Sequence, residues 1–500
     1  MLFFKRGIMN IKNVLNNISQ EKKMFFIFLI INIIVWAGLG LIRVVLPTDS
    51  LEGIFWGSLH DLGTPKHPPL AGWLTYIVYS VFKCDLSVYL LCVTFISVGM
   101  YFIYKLGKIF LDEKCAILSA VVMEGCWAYS YVTSYYGFNP DVVLLGLLPI
   151  LTYLGYKCLN ENKKTDWIIL GIITGICFLN KYQTALIILP LALWAVIFKR
   201  EIFKNVYFYL SIIIAFFIFL PHLLWLVKYE FFPLLYFEGE LSSNSWLNHI
   251  TAPVYFLIMQ LGAIAGTLVI FLILKWKQKS SLKINFISDS KTWFLLLIGL
   301  VPLIIHLCMG FCAGGTMRPR WGFEFLYLTG IMLFYFLPVK ELSKDDIKFT
   351  FKLAYCVMAI IFIVMATLLS VEKNYRSRYP VAQIHNDLLK IWSDKYDTPL
   401  KYIGGYIEWT LPLTIYGDTH PTCILDTNNY KNPWIDNDDL KKSGFIILDR
   451  NIEEIKDHFK KECNYLKNMP NPVEYKFKLT NAFGQEREYT IYYLIIPPEK

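Results

Sequence analysis

Apolar stretches joined by short polar connections fill the first three quarters of the chain. Near-continuous runs recur at residues 24–43, 86–104, 115–132, 141–156, 166–180, 183–198, 205–226, 251–274, 292–312, 321–337 and 350–371. A helix of about 20 apolar residues crosses the hydrocarbon of a bilayer, so the pattern predicts eleven spanning helices. Segment 70–83, LAGWLTYIVYSVFK, falls short of that length and reads as an interfacial or re-entrant helix. From residue 372 the pattern changes to short apolar runs alternating with turn residues. YIGGYI, TCIL, FIILDR and the pair EYKFKLT and EYTIYYLII read as strands, the last two as a hairpin; QIHNDLLKIWSDKY and NIEEIKDHFKKEC read as amphipathic helices. The expected organisation is a tail over 1–23, an α-helical polytopic membrane domain over 24–371 with juxtamembrane helices, and a soluble α/β domain over 372–500.

Composition agrees with a membrane setting. Of 500 residues, 56% are hydrophobic and 17% charged, and the mean hydropathy of +0.45 excludes a water-soluble globule. The net charge of +9 adds orientation, because the excess lies in short connections between apolar runs. With the N-terminus in the cytoplasm, eleven crossings put Lys105, Lys108, Lys114, Lys157, Lys163, Lys164, Lys199, Arg200, Lys204, Lys275, Lys277, Lys279, Lys283, Lys291, Lys340, Lys344 and Lys348 on the inner side. Only Arg43, Lys66, Lys83, Lys181, Lys228, Arg318 and Arg320 fall outside, as the positive-inside rule requires, and the C-terminal domain becomes extracytoplasmic. The first apolar segment lacks a small-residue cleavage site and reads as an anchor. Nine of the eleven cysteines lie in or beside apolar segments; Cys423 and Cys463 remain as a pair that could bridge in an oxidising compartment.

The same topology gathers the polar residues of chemical interest on the outer face. The first outer loop, LPTDSLEGIFWGSLHDLGTPKHPPLAGWL, carries Asp49 and Glu52 three apart at a predicted helix start. A carboxylate just outside the hydrocarbon is partly desolvated, which raises its basicity and suits it to deprotonating an acceptor; the alternative is a plain helix cap. TSYYGFNPDVVLLG places Asp141 at another helix start, with the same two readings. Lys181 interrupts an apolar stretch, and a cation at that depth needs an anion or the interface, a lipid phosphate being one candidate and snorkelling the other. Arg318 and Arg320 precede a span, where guanidinium forks match phosphate oxygens or headgroups. His222 and Trp225 fit interfacial anchoring better than ligation. His60 and His67 could join Glu52 or Asp61 around a metal, but their spacing matches no standard ligand set. No Gly-rich phosphate loop and no fixed-period repeat is present.

Taken in order, these segments resemble a known family. D-x-x-E-x-x-x-W from Asp49 to Trp56, followed by HPPLAGWL, resembles the first outer loop of the GT-C glycosyltransferases of the protein O-mannosyltransferase and aminoarabinose-transferase type. NPDVVLLGLLPILTYLGY, GIITGICFLNKYQTALIILPLAL and LPHLLWLVKYEFF resemble later landmarks of the bacterial branch, so the likeness runs over most of residues 40–330. The resemblance implies transfer of a monosaccharide from a polyprenyl-phosphate carrier to an envelope lipid, glycan or protein, with inversion, at a bacterial inner membrane. It matches Asp49 to the general base and Asp141 to the second outer-loop acid, and makes Lys66, His67, Lys181, Arg318 and Arg320 candidates for the carrier phosphate. Relatives show an acidic residue and a lysine before the Pro-Pro where Lys66 and His67 stand here, which weakens a carried-over metal role. No cofactor is required and no nucleic-acid partner is expected. The rival classes are a transporter or lipid flippase, for which Glu124 and Glu324 inside apolar runs are the nearest support, and an accessory or polymerase-like protein whose acids are not catalytic.

Overall fold

A computed structural model describes residues 19–241, 245–425, 432–463 and 468–499. Most of the expected 1–23 tail, including Lys5, Arg6 and Lys12, lies outside the described residues.

Seven helices among the described residues are long and apolar enough to cross a membrane: Gln20–Gly40, Asp85–Phe110, Pro140–Glu161, Val206–Lys228, Asn248–Lys277, Ser290–Ala313 and Lys344–Val371. Their starts follow the sequence chemistry. Asn139 and Asp289 accept backbone N–H bonds as N-caps, and Ser343 with Asp346 forms a capping box. Ile212, Phe217, Leu224, Ile258, Ile304 and Ile363 stay exposed on these helices, as an apolar surface facing lipid would.

The other four runs are shorter or broken. Lys164–Asn180 has 17 residues and Ala185–Phe198 has 14. Run 115–132 divides into Glu113–Val121 and two 3₁₀ turns, Val122–Gly125 and Trp127–Tyr129. Run 321–337 divides into Arg320–Phe323, Leu326–Leu328 and Thr329–Phe336. Each break holds a buried acid. Glu124 takes Asn32 Nδ2 at 2.6 Å and Trp36 Nε1 at 3.1 Å, which ties the first break to helix Gln20–Gly40. Glu324 takes Lys181 Nζ at 3.0 Å.

Leu70–Phe82 has 13 residues and packs against Thr48–Ser58. The two backbones nearly touch, since a Cβ on Gly57 would fall 2.2 Å from the Gly72 carbonyl oxygen. Only glycine permits that approach, and it seats the acidic helix against its neighbour.

Basic loops meet one another at one end of the bundle. Lys22 pairs with Glu113 at 2.6 Å, Lys277 with Asp346 at 2.6 Å, and Lys114 donates to the Leu342 carbonyl at 2.9 Å.

The C-terminal segment forms a five-stranded sheet in the order β2-β1-β3-β5-β4, with β1 Tyr402–Gly405, β2 Thr422–Ile424, β3 Phe445–Asp449, β4 Val473–Thr480 and β5 Glu486–Ile496. β1 runs parallel to β2 and β3, while β5 is antiparallel to β3 and β4. The four apolar β3 residues are buried because alternate side chains enter different cores: Ile446 and Leu448 join Trp392, Trp409 and Phe477, whereas Phe445 and Ile447 join Ile455 and Leu494. Val381–Ser393 and Ile452–Glu462 are the two helices the amphipathic pattern predicts. A further helix, Ile407–Tyr416, was not expected, because Pro412 and alternating apolar residues hide its period.

Cys423 and Cys463 are both buried, and neither is part of a disulfide. They occupy separate core clusters, so the disulfide considered from sequence does not form.

The sheet unit rests on the bundle next to the acidic helix. Tyr416 donates to Asp85 at 3.0 Å and accepts the Leu46 N–H at 2.9 Å, Val44 N–H meets the Ser377 carbonyl at 2.8 Å, and Trp434 meets Phe55 edge-on.

Candidate active site

Asp49 lies in the first turn of helix Thr48–Ser58 but does not cap it: the cap position is Pro47, with no side-chain cap bond. The carboxylate instead pairs with Arg320 and accepts Asn139 Nδ2 at 3.1 Å. The neighbouring Ser50 accepts the Phe138 N–H at 2.8 Å, and Gly137, at φ 76°, lets the chain pass close to the Ser50 hydroxyl. The loops that carry Asp49 and Asn139 are thereby fastened together at the carboxylate. Asn139 has two tasks, because its Oδ1 also caps Pro140–Glu161 through Asp141 N at 2.9 Å and Val142 N at 3.1 Å. With that end capped by Asn139, the Asp141 side chain is left to meet Lys181, and Arg320 Nε at 3.7 Å.

Each acid of the crevice faces a cation. Glu52 takes Lys66 Nζ at 2.5 Å, and that ammonium lies 5.6 Å from the Trp56 ring centre. Lys181 sits between Asp141 and Glu324. Arg320 lies over Tyr136 at 5.6 Å and Arg318 over Trp321 at 5.9 Å. Among the described residues no group of three His, Cys, Asp or Glu side chains comes together as a metal would need, so His60, His67, Glu52 and Asp61 do not converge on one.

Electrostatics separate the two acids of the first loop. Burial disfavours the charged form of Asp49, but Arg320 and Lys66, with the Arg320 and Asn139 hydrogen bonds, outweigh it and hold this carboxyl below the ordinary aspartate value. The expectation of a raised basicity is therefore reversed, because sequence could not show that Arg320 would meet Asp49. Glu52 goes the other way: burial lifts it, nearby Asp49 adds to the effect, and Lys66 compensates only in part. Arg320 is held more firmly protonated, chiefly by Asp49.

His67 lines the crevice with its Nδ1 2.9 Å from the Pro68 carbonyl, which requires an N–H there and leaves the lone pair on Nε2. Burial is the main cause that pulls its pKa down to about 4. It is therefore a neutral ring at neutral pH and brings no charge to a phosphate. Its folded pKa lies below the ordinary 6.5, so the unfolded chain binds this proton first and stability should fall as pH drops from about 6.5 towards about 4. H67Q is expected to flatten that part of a stability-against-pH profile measured by thermal unfolding.

His222 stands apart from both cavities of the site and is satisfied on both nitrogens, by Tyr182 OH at 2.8 Å and the Leu62 carbonyl at 2.7 Å. It ties the first loop to helix Val206–Lys228. H222F should lower thermal stability by about 1–3 kcal/mol through two lost buried hydrogen bonds, with turnover little changed.

Two cavities meet at these charges. One of about 330 Å³ is flanked by Ala185, Leu186, Leu234, Phe237 and Met309, an apolar wall. The other, about 630 Å³, is polar and lies against the sheet unit, with Arg43, Tyr131, Tyr135, Glu372, Arg376 and Glu408 on its wall. Asp49, Glu52, Lys66, Arg318 and Arg320 line both. Asn139, Gln183, His306 and the sheet-unit residues Arg376 and Glu408 were not singled out from sequence; only the Asn-Pro-Asp order around Asn139 carries a readable signal, that of a helix cap.

The chain is a multi-pass membrane protein with a charged crevice at one end of its helical bundle and a small mixed sheet resting beside it. Residues 66–225 match the family described as dolichyl-phosphate-mannose-protein mannosyltransferase. The chain is 25% identical over 198 residues to lipopolysaccharide core galacturonosyltransferase RgtA of Rhizobium johnstonii; the aligned part is 37% of this chain and 38% of that protein. Its fold is similar to that of ArnT from Cupriavidus metallidurans bound to undecaprenyl phosphate, with a TM-score of 0.62 and 12% identity, covering 93% of this chain and 97% of ArnT. The apo ArnT structure gives the same TM-score and identity over 96% and 100% of the two chains.

Proposed function

We propose that the chain transfers a monosaccharide from a polyprenyl-phosphate carrier to an envelope acceptor on the extracytoplasmic face of a bacterial inner membrane, with inversion and with Asp49 as general base. The observation that carries the reading is the position of Asp49 on the wall shared by an apolar-sided and a polar cavity, paired with Arg320. The apolar side suits a lipid-linked donor and the polar side a hydroxylated acceptor. ArnT was solved with undecaprenyl phosphate, RgtA is a sugar transferase, and the matched family acts from dolichyl phosphate mannose, which supports a donor of this class. The gathering of basic loops at the opposite end of the bundle supports a cytoplasmic N-terminus and an outer site.

In this mechanism Lys66, Arg318 and Arg320 hold the donor phosphate. An acceptor oxygen attacks the anomeric carbon from the polar side, the bond from that carbon to the phosphate oxygen breaks, the acceptor proton passes to Asp49, and the negative charge remains on the released lipid phosphate. Arg320 links the two events. While it pairs with Asp49 the carboxylate is a weak base; an arriving phosphate competes for the guanidinium and restores basicity where it is needed. Lys181, with Asp141 and Glu324 already against it, shapes the pocket and contributes its charge from behind. The reading invokes no metal.

The broken segments at Glu124 and Glu324 are what a transporter would also show. The two readings part in one experiment. Protein in proteoliposomes is supplied with radiolabelled undecaprenyl-phosphate sugars and an envelope extract; labelled glycan, glycolipid or protein is expected. Movement of the labelled lipid between leaflets with no new glycosidic product would overturn the transferase reading.

A further inference from the structure

Gln183 lies on the wall of the apolar-sided cavity, two residues beyond Lys181. Its Nε2 is 2.9 Å from His306 Nε2 and 3.5 Å from the Trp321 carbonyl oxygen. The histidine decides which way the amide faces. His306 Nδ1 is 2.8 Å from the Pro302 carbonyl oxygen, where only an N–H is satisfied, so Nε2 bears the lone pair and receives the amide hydrogen. Phe256 stacks on the same ring at 5.7 Å, and His306 is only 4% exposed, so the ring is held in place. This fixes the Gln183 nitrogen inward and leaves Oε1 buried with no hydrogen-bond partner. A buried carbonyl without a donor is costly, and because Gln183 lines the cavity a small movement of its side chain lets a bound ligand supply that donor.

An acceptor atom discriminates by chemistry. It cannot pair with a phosphate or carboxylate oxygen, which are acceptors too, and gains nothing from a polyprenyl tail. On a sugar linked through phosphate to a lipid, only the sugar offers O–H or N–H. Resting on the function proposed above, we infer that Gln183, oriented by His306, is a specificity-determining residue that accepts a hydrogen bond from a hydroxyl or amino group of the donor sugar and disfavours a sugar with a carboxylate at that position.

The test reads binding, so it does not depend on turnover. Full-length protein in nanodiscs is titrated with farnesyl phosphate, with farnesyl-phosphate hexoses and amino sugars, and with a farnesyl-phosphate uronic acid. The wild type should bind at least one hydroxylated or amino sugar lipid about tenfold more tightly than bare farnesyl phosphate, as one well-placed hydrogen bond provides. Q183M, similar in length and without the acceptor, should lose that preference while binding bare farnesyl phosphate as the wild type does. H306F keeps a ring against Phe256 but frees the amide, and should lose part of the preference. Wild-type preference for no sugar lipid, or for the uronic acid lipid above the rest, would overturn the inference, as would a full preference retained in Q183M. Should Q183M not purify as a monodisperse protein, H306F carries the test, and an undiminished preference in it overturns the assignment. Binding preference without product formation would instead count against the transferase reading alone.

Discussion

D49N is expected to abolish sugar transfer, lowering kcat by about a thousandfold or more, in the range that loss of a general base produces. The asparagine keeps the size of the side chain and an oxygen for Arg320, so the crevice should keep its shape. What disappears is a group able to take the acceptor proton. The same substitution also removes the anion that competes for Arg320, so undecaprenyl phosphate should bind D49N somewhat more tightly than the wild type. This opposite movement of turnover and affinity is specific to the exchange of Arg320 between carboxylate and phosphate, since a merely misfolded site would lose both. E52Q provides the control. Glu52 is the acid whose affinity for a proton is raised by burial, and it would be the alternative base; if Asp49 is the base, E52Q should cost far less turnover than D49N. Transfer from a radiolabelled polyprenyl-phosphate sugar, with binding measured in parallel, reads both effects. A D49N protein with a tenth or more of wild-type activity would remove Asp49 from the role.

The sequence carried the membrane pattern and the candidate charges but not their pairing. Hydropathy reports which stretches avoid water, so the long helices and the strands of the C-terminal sheet follow from it. It does not report breaks when the composition stays apolar on both sides, which is why the turns at Val122–Gly125 and Leu326–Leu328 lie within runs that read as single spans. The segment before Tyr416 was obscure for a related reason: a proline inside an apolar run reads as a stop, yet here the helix passes through it. In the crevice, Asp49 and Arg320 are each conspicuous at a membrane boundary, but they are 271 residues apart. Their contact depends on how the helices pack, and it reverses the expected shift of Asp49. Gln183 and His306 were invisible for the opposite reason, being unremarkable polar residues on apolar helices until the tautomer of one fixes the amide of the other.

K181M should be among the most destabilising single changes in the bundle. Lys181 is the cation against both Asp141 and Glu324, and Glu324 is fully buried. Its loss leaves the two buried acids facing each other in a region of low dielectric, with Arg320 still 3.7 Å from Asp141. Breaking a buried pair by removing one partner costs about 3–5 kcal/mol, because the other charge stays buried and unpaired. The second substitution distinguishes this role from a direct hold on the donor phosphate. If the lysine balances the two acids, K181M/E324Q should recover much of the lost thermal stability, since the neutral amide no longer needs a counter-charge. If its main task is to grip phosphate, K181M alone should leave the unfolding temperature near that of the wild type and weaken donor binding, and E324Q should restore neither. Thermal unfolding in detergent, read with and without undecaprenyl phosphate, separates the outcomes: rescue by E324Q in the ligand-free protein is the result expected from a cation already occupied by Asp141 and Glu324.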